Sequence, residues 1–121
     1  ARDPLSGVFG RVVSLMEQER LYLNPDLTIA QVTEKAHSNE KYVSGAVKKG
    51  AGMNFNSFVN SYRIAEAKRL LSESAYSLSI EQISSKCGFN SRTTFFSAFQ
   101  KSTGMTPVQF RKFALEQQND E

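Results

Sequence analysis

The chain has 121 residues, a formal net charge of +3, one cysteine and one histidine. This length suffices for one compact module, and the small positive charge allows an anionic partner without identifying one. A single cysteine excludes an internal disulfide framework, and with a single histidine it leaves too few ligands for a zinc site. No apolar run approaches the ~20 residues that a membrane span requires. We therefore expect a protein that has no membrane segment and suits a reducing cytoplasm.

The first strong pattern is an amphipathic helix near the start of the chain. Asp3 followed by Pro4 is a suitable N-cap and first-turn pair for such a helix. Apolar residues then recur at helical spacing, at Leu5, Val8, Phe9, Val12, Val13 and Met16. The sequence therefore predicts one helix that buries this stripe.

Two shorter helices follow a loop at residues 23–28. Thr28 and Gln31 form a capping-box pattern at the start of a short helix that ends near Ala36. After a turn, Asn39 caps a further helix whose inward positions are Val43, Ala46 and Val47. This segment is predicted to be a helix, a tight turn and a second helix with a polar outer face.

Residues 54–73 contain no Gly or Pro, and their apolar residues recur at helical spacing, so they are predicted to form one long helix. A second short pair then follows. Its first helix has a capping box at Ser79 and Gln82, and its second helix is capped by Ser91. The inward positions of the second helix are Phe95, Ala98 and Phe99.

The end of the chain carries a third capping box. Thr106, Pro107 and Gln109 are expected to open a last helix that continues through about Leu115. Residues 116–121 are expected to be a loose tail.

An internal repeat is the most informative feature of the sequence. At an offset of 51, residues 28–36 match residues 79–87 at the cap and at the apolar positions. Beyond the turn the offset becomes 52, and residues 43–58 match residues 95–110. The difference of one residue lies in the turn, so one helix-turn-helix unit is used twice.

The predicted fold is therefore all-α, with seven helices in two helix-turn-helix subdomains. The first subdomain covers about 5–53, a linking helix covers about 54–73, and the second subdomain covers about 74–115. We expect the second helix of each unit, here called the recognition helix, to lie on one common face of the molecule.

Such a pair of units suits double-stranded DNA. A helix about 10 to 12 Å across fits the major groove of B-form DNA, and the helix before it braces it on the backbone. A linking helix of about 20 residues spans roughly 30 Å, which is close to the ~34 Å between successive major grooves on one face. One chain is thus predicted to contact two grooves.

The same residues resemble a known family. Residues 80–87, the segment GFNSRTTFFSAFQKSTGMTPVQFRK at 88–112 and YRIAEAKRLL at 62–71 resemble the DNA-binding domain of AraC/XylS-type bacterial transcription regulators. The resemblance covers about residues 5–115. It implies seven helices in two subdomains, and recruitment or regulation of RNA polymerase at promoters. Because members of the family usually add a sensing domain, it also implies a sensing or dimerising domain outside this fragment.

The resemblance assigns roles to the first recognition helix. Lys41, Ser44 and Gly45 correspond to its base-contacting face, and Lys48 lies toward the phosphates. The family often has a long polar side chain where Gly45 stands. Glycine offers no side chain to a base edge and costs roughly 0.5 to 1 kcal/mol in a helix relative to Ala. Base recognition by the first unit is therefore expected to be weak, or induced by DNA.

In the second recognition helix, the resemblance places Arg92, Thr93, Phe96 and Ser97 on the base-contacting face. Arg92 suits a bidentate contact to guanine, Thr93 a hydrogen bond, and Phe96 an apolar contact to a thymine methyl group. Ser97 stands where the family often has Arg. The expected phosphate contacts are Lys48, Lys49, Lys101, Arg111 and Lys112.

Other interpretations of these residues stay open. Lys41 and Arg92 are also what a solvated helix surface would carry, and Phe96 could be a core residue. Cys87 is expected to be a buried small hydrophobe. We expect no catalytic role and no cofactor, because there is no nucleophile with a base, no suggestive carboxylate pair and no phosphate-binding loop. A helical interaction module that has lost DNA binding remains the alternative, since Gly45 and Ser97 weaken both faces.

Overall fold

In the computed structural model, residues 4–119 are described, and they form seven α-helices and a short 3₁₀ helix. The 3₁₀ helix is Leu21–Leu23, and the α-helices in chain order are α1 Pro4–Glu17, α2 Ile29–Lys35, α3 Glu40–Ala51, α4 Phe55–Glu73, α5 Ile80–Lys86, α6 Arg92–Thr103 and α7 Pro107–Asn119. No strand occurs between residues 4 and 119. The predicted all-α class with seven helices is confirmed.

The predicted capping boxes form at α2, α5 and α7. Thr28 Oγ1 accepts from the backbone N–H of Gln31 at 3.2 Å, and the Gln31 side chain accepts from the backbone N–H of Thr28 at 3.0 Å. Ser79 with Gln82 and Thr106 with Gln109 make the same reciprocal pair. The cap predicted at Asp3 lies outside the described residues.

The chain divides into two compact units, Ala1–Asn60 and Ser61–Glu121, and the boundary lies inside α4. The separate linking helix predicted at 54–73 is therefore shared between the two units. Its first turns bury Phe55, Phe58 and Val59. Its later turns bury Ile64, Ala67 and Leu71 in the core of the second unit.

In the first unit, α1 packs against α3 and braces the first helix-turn-helix. Arg11 Nε donates to the backbone carbonyl of Ala36, at the end of α2, at 2.9 Å. Close packing also depends on Gly50, because a Cβ there would lie 2.6 Å from the ring of Phe9. The fully buried residues that hold these helices together are Val12, Met16, Val32, Ala36, Val43 and Val47.

In the second unit, an aromatic cluster fills the space beneath α5 and α6. The ring centroids of Phe95 and Phe99 are 5.7 Å apart, and Phe99 and Phe110 are 5.4 Å apart, both pairs edge to face. The buried residues of this core are Ile64, Ala67, Leu71, Ile80, Ile83, Cys87, Phe89, Phe95 and Phe99.

The end of the chain differs from the prediction. Helix α7 continues to Asn119, so the tail that was expected to be loose is helical from residue 116 to residue 119. Gln118 Nε2 donates to the backbone carbonyl of Ser72 at 3.1 Å, which ties the last turn of α7 to the end of α4. This long-range contact has no local signal in the sequence.

The turns of the two helix-turn-helix units use the left-handed backbone region with different residues. His37 in the first turn has φ 54°, and Gly88 in the second turn has φ 94°. These positions match at the offset of 51 that relates α2 to α5. Because a side chain in this region costs roughly 1 to 2 kcal/mol, the first turn is strained where the second is not.

Substitutions at His37 and Gly88 test whether the first turn is strained and the second is not. We expect His37→Gly to stabilise the chain by up to about 1 kcal/mol and Gly88→Ala to destabilise it by about 1 to 2 kcal/mol. The measurement is urea unfolding followed by circular dichroism. A destabilising His37→Gly together with a neutral Gly88→Ala would contradict the assigned backbone strain.

Candidate nucleic-acid interface

The outer face of α3 is set by its N-cap and its buried residues. Asn39 Oδ1 accepts from the backbone N–H of Tyr42 at 2.9 Å, which fixes where the helix begins. Val43, Ala46 and Val47 are buried, as predicted. The opposite side of the helix therefore exposes Lys41, Ser44 and Lys48.

Gly45 lies at the edge of this outer face. It is half-buried, and a Cβ at this position would lie 3.6 Å from Cδ1 of Leu5 in α1. The structure thus places Gly45 beside α1, whereas the sequence interpretation put it fully outward. A long side chain here would pass the start of α1 before it reached a groove.

The outer face of α6 follows from the same kind of cap. Ser91 Oγ accepts from the backbone N–H of Thr94 at 3.1 Å, and Phe95 and Phe99 are buried beneath the helix. The outer residues Arg92, Thr93 and Ser97 are exposed.

Phe96 lies at the boundary between the core of the second unit and the outer face of α6, the two places that the sequence analysis left open for it. It is half-buried and packs against the core of the second unit, and its ring is 6.0 Å from that of Phe95, edge to face. The guanidinium carbon of Arg92 lies over the ring of Phe96, 4.5 Å from its centroid. Phe96 is therefore both a boundary residue of the core and the support for the Arg92 side chain.

Arg92 has a second partner that the sequence interpretation missed. Its Nη1 forms an ion pair with Oε1 of Glu81, in the first turn of α5. Both side chains are more than half exposed, so this pair lies on the surface of the second unit. The signal available in the sequence was an acidic residue at the start of one helix and a basic residue at the start of the next.

The two recognition helices present different chemistry in the same register. The offset of 52 aligns Lys41 with Thr93, Ser44 with Phe96 and Gly45 with Ser97. It also aligns Glu40 with Arg92, so α3 begins with an acidic residue where α6 begins with a basic one. Any pair of DNA half-elements that these two faces recognise would differ in sequence.

Four of the predicted phosphate contacts are exposed lysines. Lys48 and Lys49 lie in the last turn of α3, and Lys101 lies in the last turn of α6. Lys112 is exposed on α7. Gly52 and Gly104, with φ 72° and 77°, end α3 and α6 directly after these turns. These two glycines are helix C-caps, as predicted.

Comparisons with known proteins agree with this geometry. A family model described as a helix-turn-helix domain matches residues 32–112. The melibiose operon regulatory protein of Escherichia coli is 32% identical over 90 residues, which is 74% of this chain and 29% of that protein. The chain belongs to the helix-turn-helix family of the AraC type.

Solved structures share the fold of this AraC-type domain. The C-terminal domain of AraT, a response regulator from Geobacillus stearothermophilus, superposes with a TM-score of 0.79 at 26% identity, over 92% of this chain and 88% of that chain. The DNA-binding domain of AdpA, in complex with a target DNA, has a TM-score of 0.77 at 19% identity, over 99% and 100% of the two chains. The AraC-type domain spans between 11% and 34% of the length of the curated relatives matched first.

Cys87 of the AraC-type domain is fully buried in the core of the second unit. Burial, and to a smaller extent the carboxylate of Glu66, raise the pKa of its thiol to about 12. The predicted role of a small buried hydrophobe is confirmed. None of the helices between residues 4 and 119 is long and apolar enough to cross a membrane.

Arg111 does not have the environment that a phosphate contact requires. Its residue is only 7% exposed, and its Nη1 donates to the backbone carbonyls of Ala75 at 2.8 Å and Leu78 at 2.6 Å. Its guanidinium carbon lies 5.1 Å from the ring centroid of Tyr76. Arg111 therefore holds the loop before α5 against α7, a structural role that leaves little of its side chain exposed for the predicted phosphate contact.

Removal of the Arg111 side chain should lower the stability of the folded domain. We expect Arg111→Ala to lower the free energy of unfolding by about 3 kcal/mol, because two carbonyls lose a charged donor. The exposed neighbour provides the control: Lys112→Ala should change stability by less than about 0.5 kcal/mol. The measurement is urea unfolding of both variants. An Arg111→Ala variant with unchanged stability would contradict the structural role.

Proposed function

We propose that this chain is the sequence-specific DNA-binding domain of a bacterial transcription regulator, in which α3 and α6 enter successive major grooves at a promoter. The observation that carries the proposal is the double helix-turn-helix. Two recognition helices begin at equivalent caps and bury matching positions, Val43 and Val47 in α3 and Phe95 and Phe99 in α6, so that each exposes an outer face at the same place in the unit. The membership of the AraC-type family and the names of the relatives support the same function.

In the second unit, Arg92 is the main base-contacting residue. Its guanidinium is exposed at the first position of α6, where a recognition helix approaches base edges most closely. We assign Arg92 a bidentate contact to guanine, Thr93 and Ser97 hydrogen bonds, and the outer edge of Phe96 a contact to a thymine methyl group.

In the first unit, Lys41 and Ser44 take the corresponding positions on α3. Lys41 suits the O6 and N7 acceptors of guanine, and the Ser44 hydroxyl can donate or accept. Gly45 lets the backbone of α3 approach the groove beside α1, with no side-chain contact to a base. This face therefore discriminates between bases less strongly than the face of α6.

The exposed lysines position both units on the duplex. We assign Lys48, Lys49, Lys101 and Lys112 to phosphate contacts, because they lie at the ends of the recognition helices or on the neighbouring α7. Such contacts bind every sequence and release counterions, so they add to affinity and to its salt dependence.

The regulator as a whole is proposed to act in the cytoplasm on RNA polymerase. A sensing or dimerising domain would lie elsewhere in the protein, which agrees with the small share of the relatives that this chain spans. The domain itself is assigned no catalytic activity, as its relatives are named as regulators.

A helical interaction module is the second candidate function. Two observations favour it: Glu81 pairs with the main base-contacting cation, and Gly45 presents no side chain on the first face. Electrophoretic mobility of a random duplex at low and moderate salt separates the two candidates. A DNA-binding domain should retard the duplex strongly at low salt and less at moderate salt, whereas an interaction module should not retard it.

Two substitutions in α6 separate positioning from base recognition. Lys101→Ala should weaken binding to all duplexes and reduce the slope of log K against log salt by about one phosphate contact.

Arg92→Ala should cost roughly 1 to 3 kcal/mol of binding free energy on a duplex selected from a random library, and relax the preference at one base position. If Arg92→Ala weakened selected and random duplexes equally, the base contact assigned to Arg92 would be wrong.

The repeated helix-turn-helix predicts a DNA site made of two half-elements. Helix α4, which contains the boundary between the two units, has 19 residues, about 28 Å of helix. We propose that a single chain binds two unlike half-elements about 10 base pairs apart, in successive major grooves.

An insertion of about 5 base pairs would turn one groove to the far side of the duplex. Affinity should then fall toward that of the half-element bound by α6, because bending the DNA would cost several kcal/mol. The measurement is a titration of sites with 0, 5 and 10 inserted base pairs. Equal affinity for all three sites would mean that only one unit contacts DNA.

A further inference from the structure

Arg92 is held on two sides by side chains of its own unit. Its Nη1 pairs with Oε1 of Glu81 on α5, and its guanidinium plane lies over the ring of Phe96 one turn along α6. The ring of Phe96 is in turn fixed against Phe95 in the core. A long, flexible side chain is therefore restrained at the surface where the second unit is proposed to contact base pairs.

We propose that Glu81 is a specificity-determining residue, which acts by directing Arg92 toward base edges and away from phosphates. The proposal rests on the base contact assigned to Arg92 under the proposed function. Glu81 is a positioning residue in this account, because it acts through another side chain.

The geometry of the guanidinium allows both contacts at once. The ion pair with Glu81 uses Nη1. The edge formed by Nε and Nη2 remains for the two acceptors of a guanine, which a planar guanidinium matches with two parallel hydrogen bonds. Binding of the correct base therefore does not require the ion pair to break.

The charge of Glu81 has the opposite effect on the phosphate backbone. A carboxylate beside Arg92 cancels much of the attraction of that cation for phosphate, and it repels phosphate oxygens that approach from the same side. A phosphate on the free Nε and Nη2 edge would bring a second negative charge close to the carboxylate of Glu81, whereas a guanine, which is uncharged, would not. The pair of Glu81 and Arg92 thus weakens the contact of Arg92 with phosphate more than its contact with guanine. The ratio of specific to non-specific affinity for DNA therefore rises.

The positions of the first unit that match Glu81 and Arg92 do not carry an acidic residue and an arginine. Glu40 stands where Arg92 stands in the second unit, and Ala30 stands where Glu81 stands. The restrained arginine is therefore particular to the second unit. Specificity that depends on it should be confined to the half-element bound by α6.

The test compares wild type, Glu81→Ala, Arg92→Ala and the double variant. Each is titrated against a duplex selected by the wild type and against a random-sequence duplex, over a range of salt. Glu116→Ala, at an exposed position on α7, is the matched control for the loss of one negative charge. Thermal unfolding of each variant confirms that the fold is kept.

We expect Glu81→Ala to raise affinity for the random duplex about 3-fold to 10-fold, and to steepen its salt dependence by about one phosphate contact. The affinity for the selected duplex should not rise, so the ratio of selected to random affinity should fall by about the same 3-fold to 10-fold. Both effects should be absent when Arg92 is already Ala, and Glu116→Ala should show neither. A purely structural role of Glu81 would leave the salt dependence unchanged.

Three outcomes would overturn the proposal, and they differ from one another. If Arg92→Ala lowers the ratio but Glu81→Ala leaves it unchanged, Arg92 keeps its role and Glu81 has none. If Glu81→Ala acts equally with and without Arg92, its effect is one of net charge alone. If Arg92→Ala lowers both affinities equally, the base contact itself fails and the role of Glu81 fails with it.

Discussion

The N-cap hydrogen bonds of the two recognition helices are the constraint on which the DNA-binding account depends. Asn39 and Ser91 each accept from a backbone N–H three residues on, and this fixes the residue at which α3 and α6 begin. A shift of either helix by one residue against the core would turn its side chains by about 100°. The caps, together with the buried residues, therefore decide which side chains face outward.

Equivalent caps do not make the two faces equivalent. The first face offers Lys41 and Ser44 and has a glycine beside α1, whereas the second face offers an arginine fixed between a carboxylate and an aromatic ring. We propose that the same supersecondary unit serves two different tasks in one chain. In this account α6 supplies most of the base discrimination, and α3 adds a weaker second contact that fixes the spacing of the site.

Local sequence patterns predicted most of the fold. The capping boxes, the glycine C-caps and the buried stripes depend on residues within one or two helical turns, so the sequence alone placed all seven helices. The repeat then predicted the two helix-turn-helix units. The side chains that α4 buries lie on both sides of the boundary between the two units, which the local patterns did not indicate.

The missed features all depend on contacts between residues far apart in the chain. Arg111 looked like a surface cation, but it is buried by a loop 33 to 36 residues earlier in the chain. The last turn of α7 is held by a contact to Ser72, 46 residues away. Glu81 meets Arg92 across 11 residues because the turn brings α5 beside α6. Neither the hydrophobic periodicity of the sequence nor its capping patterns can indicate such contacts.

We propose that both recognition helices of one chain enter major grooves of the same duplex. Methylation interference at guanine N7, on a duplex selected from a random library, distinguishes two groove contacts from one, because N7 lies in the major groove. We expect two clusters of interfering guanines about 10 base pairs apart, and Arg92→Ala should remove the interference in one cluster only. A single cluster that remained single on every selected duplex would contradict the claim.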